Sequence, residues 1–301
     1  MTSYHNPVLL NDCMEGLNIH PDGVYVDVTF GGGGHSREIL KRLGNSGRLI
    51  AFDQDADATQ NAIDDPRFTL VQQNFRYMKN FLKLYKALPV DGILADLGVS
   101  SHQFDVPDRG FSTRFEADLD MRMDTGAELT AAGILNEYPE RDLANLFRSY
   151  GEVQNAGKLA FIIVRERVKQ KITRVTEFKQ AIASCIPRGK ENQYLAQVFQ
   201  ALRIEVNNEL DVLKEFLMQS VDVLKGNGRL VVISYHSLED RLVKNYINKG
   251  KFEGEAEKDF FGNVLKPLDA INKKLIVPGA DEIQINNRAR SAKLRVAEKR
   301  L

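Results

Sequence analysis

Cysteine is nearly absent from this chain: Cys13 and Cys185 are the only two in 301 residues, and neither has a second thiol near it in sequence. That excludes a disulfide framework and a four-cysteine metal site, and it suits a reducing compartment. Long apolar runs are missing too. The longest, such as 159–164, fall far below the roughly 18 residues that a membrane span needs, and the first residues lack a basic stretch followed by an apolar core. A soluble, unexported, cytoplasmic protein with no membrane partner is expected. Net charge is also absent. Lys plus Arg and Asp plus Glu are both 41, so no whole-molecule field draws the chain to nucleic acid, and any such partner must be met by a local patch. Glycine and proline, 22 and 9, are too few for collagen or linker sequence. The five histidines (His5, His20, His35, His102, His236) are dispersed with no two at helical ligand spacing, so no metal is expected.

What remains, 43% hydrophobic and 27% charged, is ordinary globular composition, and the length suggests about two units or one domain with a large insertion. Residues 24–30 are β-branched and aromatic, run into four glycines, and lead to a helical pattern at Ile39, Leu40 and Leu43 that stops at Gly44. The rhythm repeats. Strands are expected at 48–52, 68–71 and 92–97, with helices at 56–63 and 78–88 between them. Such alternation argues for a parallel sheet covered on both faces, with ligands at the carboxyl ends of its strands. After Gly98 the pattern turns helical: 131–137, 141–150, 156–168, 175–185, and 195–224 with little to interrupt it. A fifth strand at 229–235, a helix at 238–247, a solvated loop at 249–258 and a closing pair of strands at 274–277 and 293–296 complete the reading. The expected organisation is an α/β unit, 1–110 with 211–301, carrying an inserted helical unit at 111–210.

The turn Thr29-Phe30-Gly31-Gly32-Gly33-Gly34-His35 lets backbone N–H groups approach a ligand at the start of a helix. Asp53 ends the second strand about 20 residues on, where an acid accepts hydrogen bonds from ribose hydroxyls. Turn and acid together point to a nucleoside cofactor. A dinucleotide site wants Gly-x-Gly-x-x-Gly, and after Gly31 and Gly33 the third position here is Ser36. S-adenosylmethionine, which has no phosphate, fits the looser glycine cluster, and the choice between the two stays open on spacing alone.

The fourth strand ends in Ala95-Asp96-Leu97-Gly98-Val99-Ser100-Ser101-His102-Gln103, a carboxylate and small polar groups beside the expected cofactor. Further on come Arg109-Gly110-Phe111-Ser112 and Leu119-Asp120-Met121-Arg122-Met123-Asp124. With Asn6-Pro7-Val8-Leu9-Leu10, Tyr150-Gly151-Glu152, Phe199-Gln200-Ala201-Leu202-Arg203-Ile204, His236-Ser237-Leu238-Glu239-Asp240-Arg241 and Arg290-Ser291-Ala292-Lys293-Leu294-Arg295, these blocks closely resemble the ribosomal small subunit methyltransferase H family, the S-adenosylmethionine-dependent cytosine-N4 methyltransferases of 16S ribosomal RNA. The resemblance covers nearly the whole chain. Departures fall at Thr113-Arg114, Glu116-Ala117 and 193–197, in the helical region.

The resemblance implies a Rossmann-like methyltransferase fold, with S-adenosyl-L-methionine as cofactor and 16S ribosomal RNA of an assembled small subunit as partner. It implies cofactor contacts at Gly33, Gly34, His35, Asp53, Phe75, Asp96 and Gln103, of which Phe75 and Gln103 come from the resemblance alone. Asp96, and His236 at the end of the fifth strand, are the expected catalytic groups, although His236 equally suits a helix cap. Asp118, Asp120, Arg122 and Asp124 are expected to pair internally. Arg288, Arg290, Lys293, Arg295, Lys299 and Arg300, with Arg165, Arg167, Lys169, Lys171 and Arg203, are candidate phosphate contacts. A homodimer is allowed, and the sequence does not set the oligomeric state. The competing readings are a nicotinamide-dependent oxidoreductase, favoured by Asp53, and a non-catalytic ribosome-assembly factor on the same shell.

Overall fold

The computed structural model describes residues 7–272 and 274–301; His5 and Asn6 lie outside them. The chain divides into two compact units, one of residues up to Gly98 with Leu210–Leu301, the other Val99–Glu209.

In the first unit, α1 (Leu10–Leu17) precedes β1 (Val24–Asp27), α2 (Gly34–Arg42), β2 (Arg48–Asp53), β3 (Phe68–Gln72), α3 (Met78–Leu84) and β4 (Val90–Asp96). The second unit then intervenes with α4 (Ser101–Asp105), α5 (Ala131–Glu137), α6 (Glu140–Gly151), α7 (Ala156–Lys169), α8 (Val175–Ile182) and α9 (Glu191–Asn207). The chain returns through α10 (Glu209–Val223), β5 (Leu224–Ser234), α11 (Ser237–Lys249), β6 (Leu268–Ala270), α12 (Ala280–Ile285) and β7 (Lys293–Lys299).

Seven strands form one sheet in the order β3-β2-β1-β4-β5-β7-β6. Neighbours from β3 to β5 are parallel, whereas β7 runs antiparallel between β5 and β6. This is the α/β architecture that the rhythm predicts and the Rossmann-like fold that the resemblance implies. Side chains alternate across the sheet as strand geometry requires. Val26, Ile50, Ile93 and Val232 join Phe216 and Leu217 of α10 on one face, while Tyr25, Leu49, Leu94 and Val231 join Ile39 of α2 and Met14 of α1 on the other. Both faces being apolar, the strands read as near-continuous hydrophobic runs.

Several expectations need correction. The sixth strand is Leu268–Ala270, and 274–277 contributes only an isolated bridge from Ile276 to Leu294. Three residues at a sheet edge are too short to carry a period-2 signal. The helix expected at 195–224 is two, because Asn208 takes the left-handed conformation (φ 50°) that asparagine tolerates and ends α9. The segment at 56–63 is a 3-10 turn over Ala56–Asn61, capped by Asp55, which accepts from the Asp57 N–H at 3.1 Å.

The first seam falls after Gly98, where the sequence reading put it at 110, for a packing reason. Val99, Phe104 and Phe111 pack on the helical core of Leu143, Phe147, Leu159 and Leu202, and the Arg109 guanidinium donates to the carbonyls of Arg122 and Met123. No helix among the described residues is long and apolar enough to cross a membrane.

Candidate active site

The glycine turn leaves β1 and enters α2 through Gly33, whose φ of +74° puts it in the left-handed region. Space as well as torsion demands glycine here: a Cβ on Gly33 would lie 2.8 Å from the Phe30 ring, and one on Gly34 would lie 2.3 Å from Pro7. Gly33 supplies no side-chain cap, a helix start leaves the N–H groups of its first turn without helical acceptors, and the helix dipole favours negative charge there.

Asp53 is tied directly to this turn. Its Oδ2 accepts from the Gly31 N–H at 2.8 Å and its Oδ1 from the Asp55 N–H at 2.9 Å. Each oxygen keeps a further lone pair for a hydroxyl. Burial pushes the carboxyl up to about 6; the two N–H groups pull it down, and the neighbouring charges of Asp55 and Asp27 add to the rise.

Two more carboxylates end adjacent strands. Asp27 of β1 is fully buried and accepts from the Ser36 hydroxyl at 2.7 Å and the Thr29 N–H at 3.1 Å. Asp96 of β4 accepts from the Tyr235 hydroxyl at 2.7 Å, while its own N–H donates to Thr29 Oγ1 at 2.7 Å. Thr29 thereby joins the carboxyl ends of β1 and β4. Burial pushes both acids above the usual carboxylate range, and the nearby His35 ring opposes it. Tyr235 opposes it further at Asp96, where Asp27 and Glu239 add repulsion. The Tyr235 phenol is itself driven well above 10 by burial and by Asp96.

His35, in the first turn of α2, stands between these groups. Its Nε2 donates to the Val8 carbonyl at 3.0 Å, since a carbonyl only accepts, and this leaves Nδ1 3.8 Å from Asp96 Oδ2. That separation is electrostatic contact without a hydrogen bond.

Phe75 opens a 3-10 turn after β3, half-buried and edge-on to Phe216 with ring centroids 5.4 Å apart. Beside it the Asn74 amide donates to Gln54 Oε1 at 2.7 Å, clasping the ends of β3 and β2. His236 is the N-cap of α11. Its Nδ1 accepts from the Glu239 N–H at 3.4 Å, and Glu239 Oε2 returns to the Tyr235 and His236 N–H groups at 2.9 and 3.3 Å. Gln103 belongs to the helical unit, where its Oε1 accepts from the Ser100 N–H at 3.0 Å in a capping box at the start of α4.

The structure therefore brings together Gly33, Gly34, His35, Asp53 and Asp96 within the sheet unit. Sequence reasoning missed Asp27, Ser36 and Tyr235. A signal existed for the first: an acid within Val-Tyr-Val-Asp-Val, a run otherwise built for burial. Tyr235 gave none, because its partner lies 139 residues away.

Several candidate phosphate contacts have internal work. Arg295 forms a two-pronged pair with Asp240, Arg300 one with Asp269, and Arg203 one with Glu209. Arg167 donates to the carbonyls of Leu135 and Tyr138, and Arg165 and Lys169 share Glu166. The loop acids pair as expected at Asp120 with Arg122 (2.7 Å) and Asp118 with Arg174 (3.1 Å).

Comparison with known proteins agrees with this geometry. Residues 2–300 match the family model described as the MraW methylase family. A protein from Flavobacterium johnsoniae named ribosomal RNA small subunit methyltransferase H is 60% identical over 296 residues, covering 98% of each chain. Proteins of the same name from Christiangramia forsetii and Cytophaga hutchinsonii are both 58% identical, covering 98–99% of this chain and 99% of theirs. With a glycine turn bound to Asp53 and a half-buried acid at the end of β4, the chain belongs to the MraW methylase family.

Proposed function

We propose that this protein transfers the methyl group of S-adenosylmethionine to the exocyclic N4 of a cytosine in 16S ribosomal RNA, acting in the cytoplasm on an assembled or nearly assembled small subunit. The observation that carries the choice of cofactor is the trio Asp27, Asp53 and Asp96. Three carboxylates held above their ordinary range by burial, with Asp27 adding repulsion at Asp53 and Asp96, suit a ligand with net positive charge and two ribose hydroxyls. A nicotinamide dinucleotide would bring two phosphate charges to the same edge and be repelled. Bound S-adenosylmethionine supplies an electrophilic methyl group on a positively charged sulfur.

The chain's own residues do the rest. Asp53 accepts from the ribose hydroxyls, the first turn of α2 after Gly33 and Gly34 receives the amino-acid carboxylate, and Phe75 offers an aromatic face for adenine. His35 holds the segment at Val8 against α2 and stands beside Asp96.

The N4 amine of cytosine is a weak nucleophile because its lone pair is delocalised into the ring. Rate must therefore come from positioning and from an acceptor for the amine hydrogens. Asp96 is that acceptor, fixed by Tyr235 and Thr29 so that its carboxylate enters the reaction without reorganising. The base reaches it by being splayed from the RNA stack. His236, engaged as a helix cap, acts by holding the start of α11, whose Glu239 accepts from the Tyr235 N–H.

Labelled S-adenosylmethionine incubated with small subunits from cells lacking the enzyme, or with protein-free 16S RNA, tests the proposal. Label is expected on N4 of a cytosine, and preferentially in subunits. Label on another atom, or cofactor binding without transfer to either substrate, would overturn it.

A further inference from the structure

Where β6 leaves β7, the sheet edge opens beside α11. β6 ends at Ala270, and past it the Asn272 side chain takes the place of a strand: its Oδ1 accepts from the Val296 N–H at 2.7 Å, and its amide donates to the carbonyls of Lys274 and Leu294 at 2.9 and 3.3 Å. A cavity of about 300 Å³ lies there, lined by α11 on one side and by Ala270, Asn272 and β7 on the other. The chemistry at the glycine turn makes no use of it.

Its polar lining is rich in uncommitted donors. Lys244 and Asn248, one turn apart on the same face of α11, are both exposed, and the side chain of neither bonds to any described residue. Arg295 enters from β7, fixed by Asp240 one turn before Lys244: Asp240 Oδ1 accepts from its Nε at 2.7 Å and Oδ2 from its Nη2 at 3.1 Å, which leaves three of the five guanidinium N–H groups. No carboxylate lines the cavity. Asp240 is committed to Arg295, Asp269 of β6 to Lys266 and Arg300, and Glu298 of β7 to Arg229. The loop after α11 sets Lys249, Lys251 and Lys258 against Glu253, Glu255 and Glu257 and adds no net charge. Lys244 is therefore a cation without a counter-ion, and Ile247 and Ala270 make the rest of the wall apolar.

An ammonium, a guanidinium and an amide lining one recess match the oxygens of a phosphate, and the apolar wall suits a sugar attached to it. A volume of about 300 Å³ is at the small end of ligand pockets, enough for a phosphate with its ribose. We propose that this cavity takes a ribose-phosphate of the RNA substrate, with Lys244 and Arg295 on the phosphate and Asn248 on a ribose hydroxyl. Lys244 stands eight residues along α11 from its N-cap His236, about 12 Å of helix, so one RNA strand can reach both the cavity and the edge where Asp96 lies. This rests on the substrate reading given above.

Lys244→Ala and Lys244→Arg test it, with a photo-crosslinking phenylalanine analogue at position 248; both positions are exposed, and alanine suits a helix. With small subunits from cells lacking the enzyme, Lys244→Ala is expected to raise Kd about tenfold and to lessen the salt dependence of binding by about one counter-ion, whereas Lys244→Arg keeps both. The analogue should cross-link to 16S RNA, and Tm and affinity for S-adenosylmethionine should match the wild type throughout. An unchanged Kd in Lys244→Ala, a raised Kd with unchanged salt dependence, or a cross-link to subunit protein alone would overturn the proposal. Cytidine 5′-monophosphate probes the other source of the same chemistry: if it binds the protein and Lys244→Ala abolishes that binding while affinity for subunits stands, the cavity serves a free nucleotide and the assignment to RNA falls. Failure of the wild type to methylate subunits that it binds would instead sink the substrate reading, which the binding measurements do not share.

Discussion

The two units treat their buried polar groups in opposite ways. In the helical unit they close on one another. Asn207 accepts from the Met123 N–H at 2.7 Å and donates to the carbonyls of Met121 and Arg203; Asn136 bridges Ala132 and Ile172; the Tyr194 hydroxyl meets Asn155 at 2.9 Å. Asp120, partly buried beside Arg122, is held below the usual carboxylate range because that pairing outweighs the burial opposing it. In the sheet unit, Asp27, Asp53 and Asp96 are hydrogen-bonded yet held above that range, because burial, joined at Asp53 and Asp96 by the charge of Asp27, exceeds what His35, Tyr235 and the backbone return. The first pattern is that of a scaffold. The second is that of a site whose balancing charge arrives with a ligand.

The strongest way to break this contrast is Asp96→Asn, which keeps shape and removes the acceptor charge. A fall in kcat of roughly a hundredfold or more is expected, read by transfer of labelled methyl to small subunits, with the variant's melting temperature preserved; undiminished turnover would remove Asp96 from the chemistry. Asp53→Asn comes next. Losing charge-assisted bonds at about 1.5–3 kcal/mol each should weaken S-adenosylmethionine by tenfold to a hundredfold, measured by calorimetry, and leave kcat at saturation little changed. Tyr235→Phe removes only the hydroxyl that pulls Asp96 down, so kcat should drop by about tenfold and the acid limb of its pH profile should move to higher pH. A kcat change with no movement of that limb would make Tyr235 merely structural. For the scaffold side, Asn207→Ala strands buried partners and should cost about 1–3 kcal/mol of stability in chemical denaturation, while cofactor affinity holds.

The smallest effect sharpens the comparison through pH. Folding raises Asp53 from its ordinary 3.8 to about 6, so the folded state binds that proton more tightly than the unfolded chain. Stability of the ligand-free protein therefore falls as pH rises from about 4 to 6 and levels above that. Ionised Asp53 is the form that receives the ribose, so binding near pH 6 should release up to about half a proton from this group. Calorimetry in two buffers of different ionisation enthalpy reads the release directly. Equal heats in both would mean that Asp53 is already ionised before the ligand binds.

Much of this site was legible before any coordinates. The glycine turn, Asp53 and Asp96 announce themselves because local sequence encodes them: a turn must follow a strand, and an acid at a strand end is visible against apolar neighbours. Five parallel-sheet strands were legible for the same reason. What escaped was long-range. Tyr235 owes its role to Asp96, 139 residues away, and β6 to the edge of β7, and neither pairing leaves a periodic trace. The seam after Gly98 escaped because Val99 and Phe104 read as loop until the helical core they pack against is known.

His35 holds the Val8 carbonyl, Gly34 leaves room for Pro7, and the Leu9 N–H donates at 2.7 Å to Glu282 Oε1, 273 residues downstream. One wall of the glycine turn is thus pinned by α12, almost the last element to be synthesised. A nascent chain stalled within the helical unit already carries the whole turn, Asp53 and Asp96, but not the clamp that fixes the wall beside them.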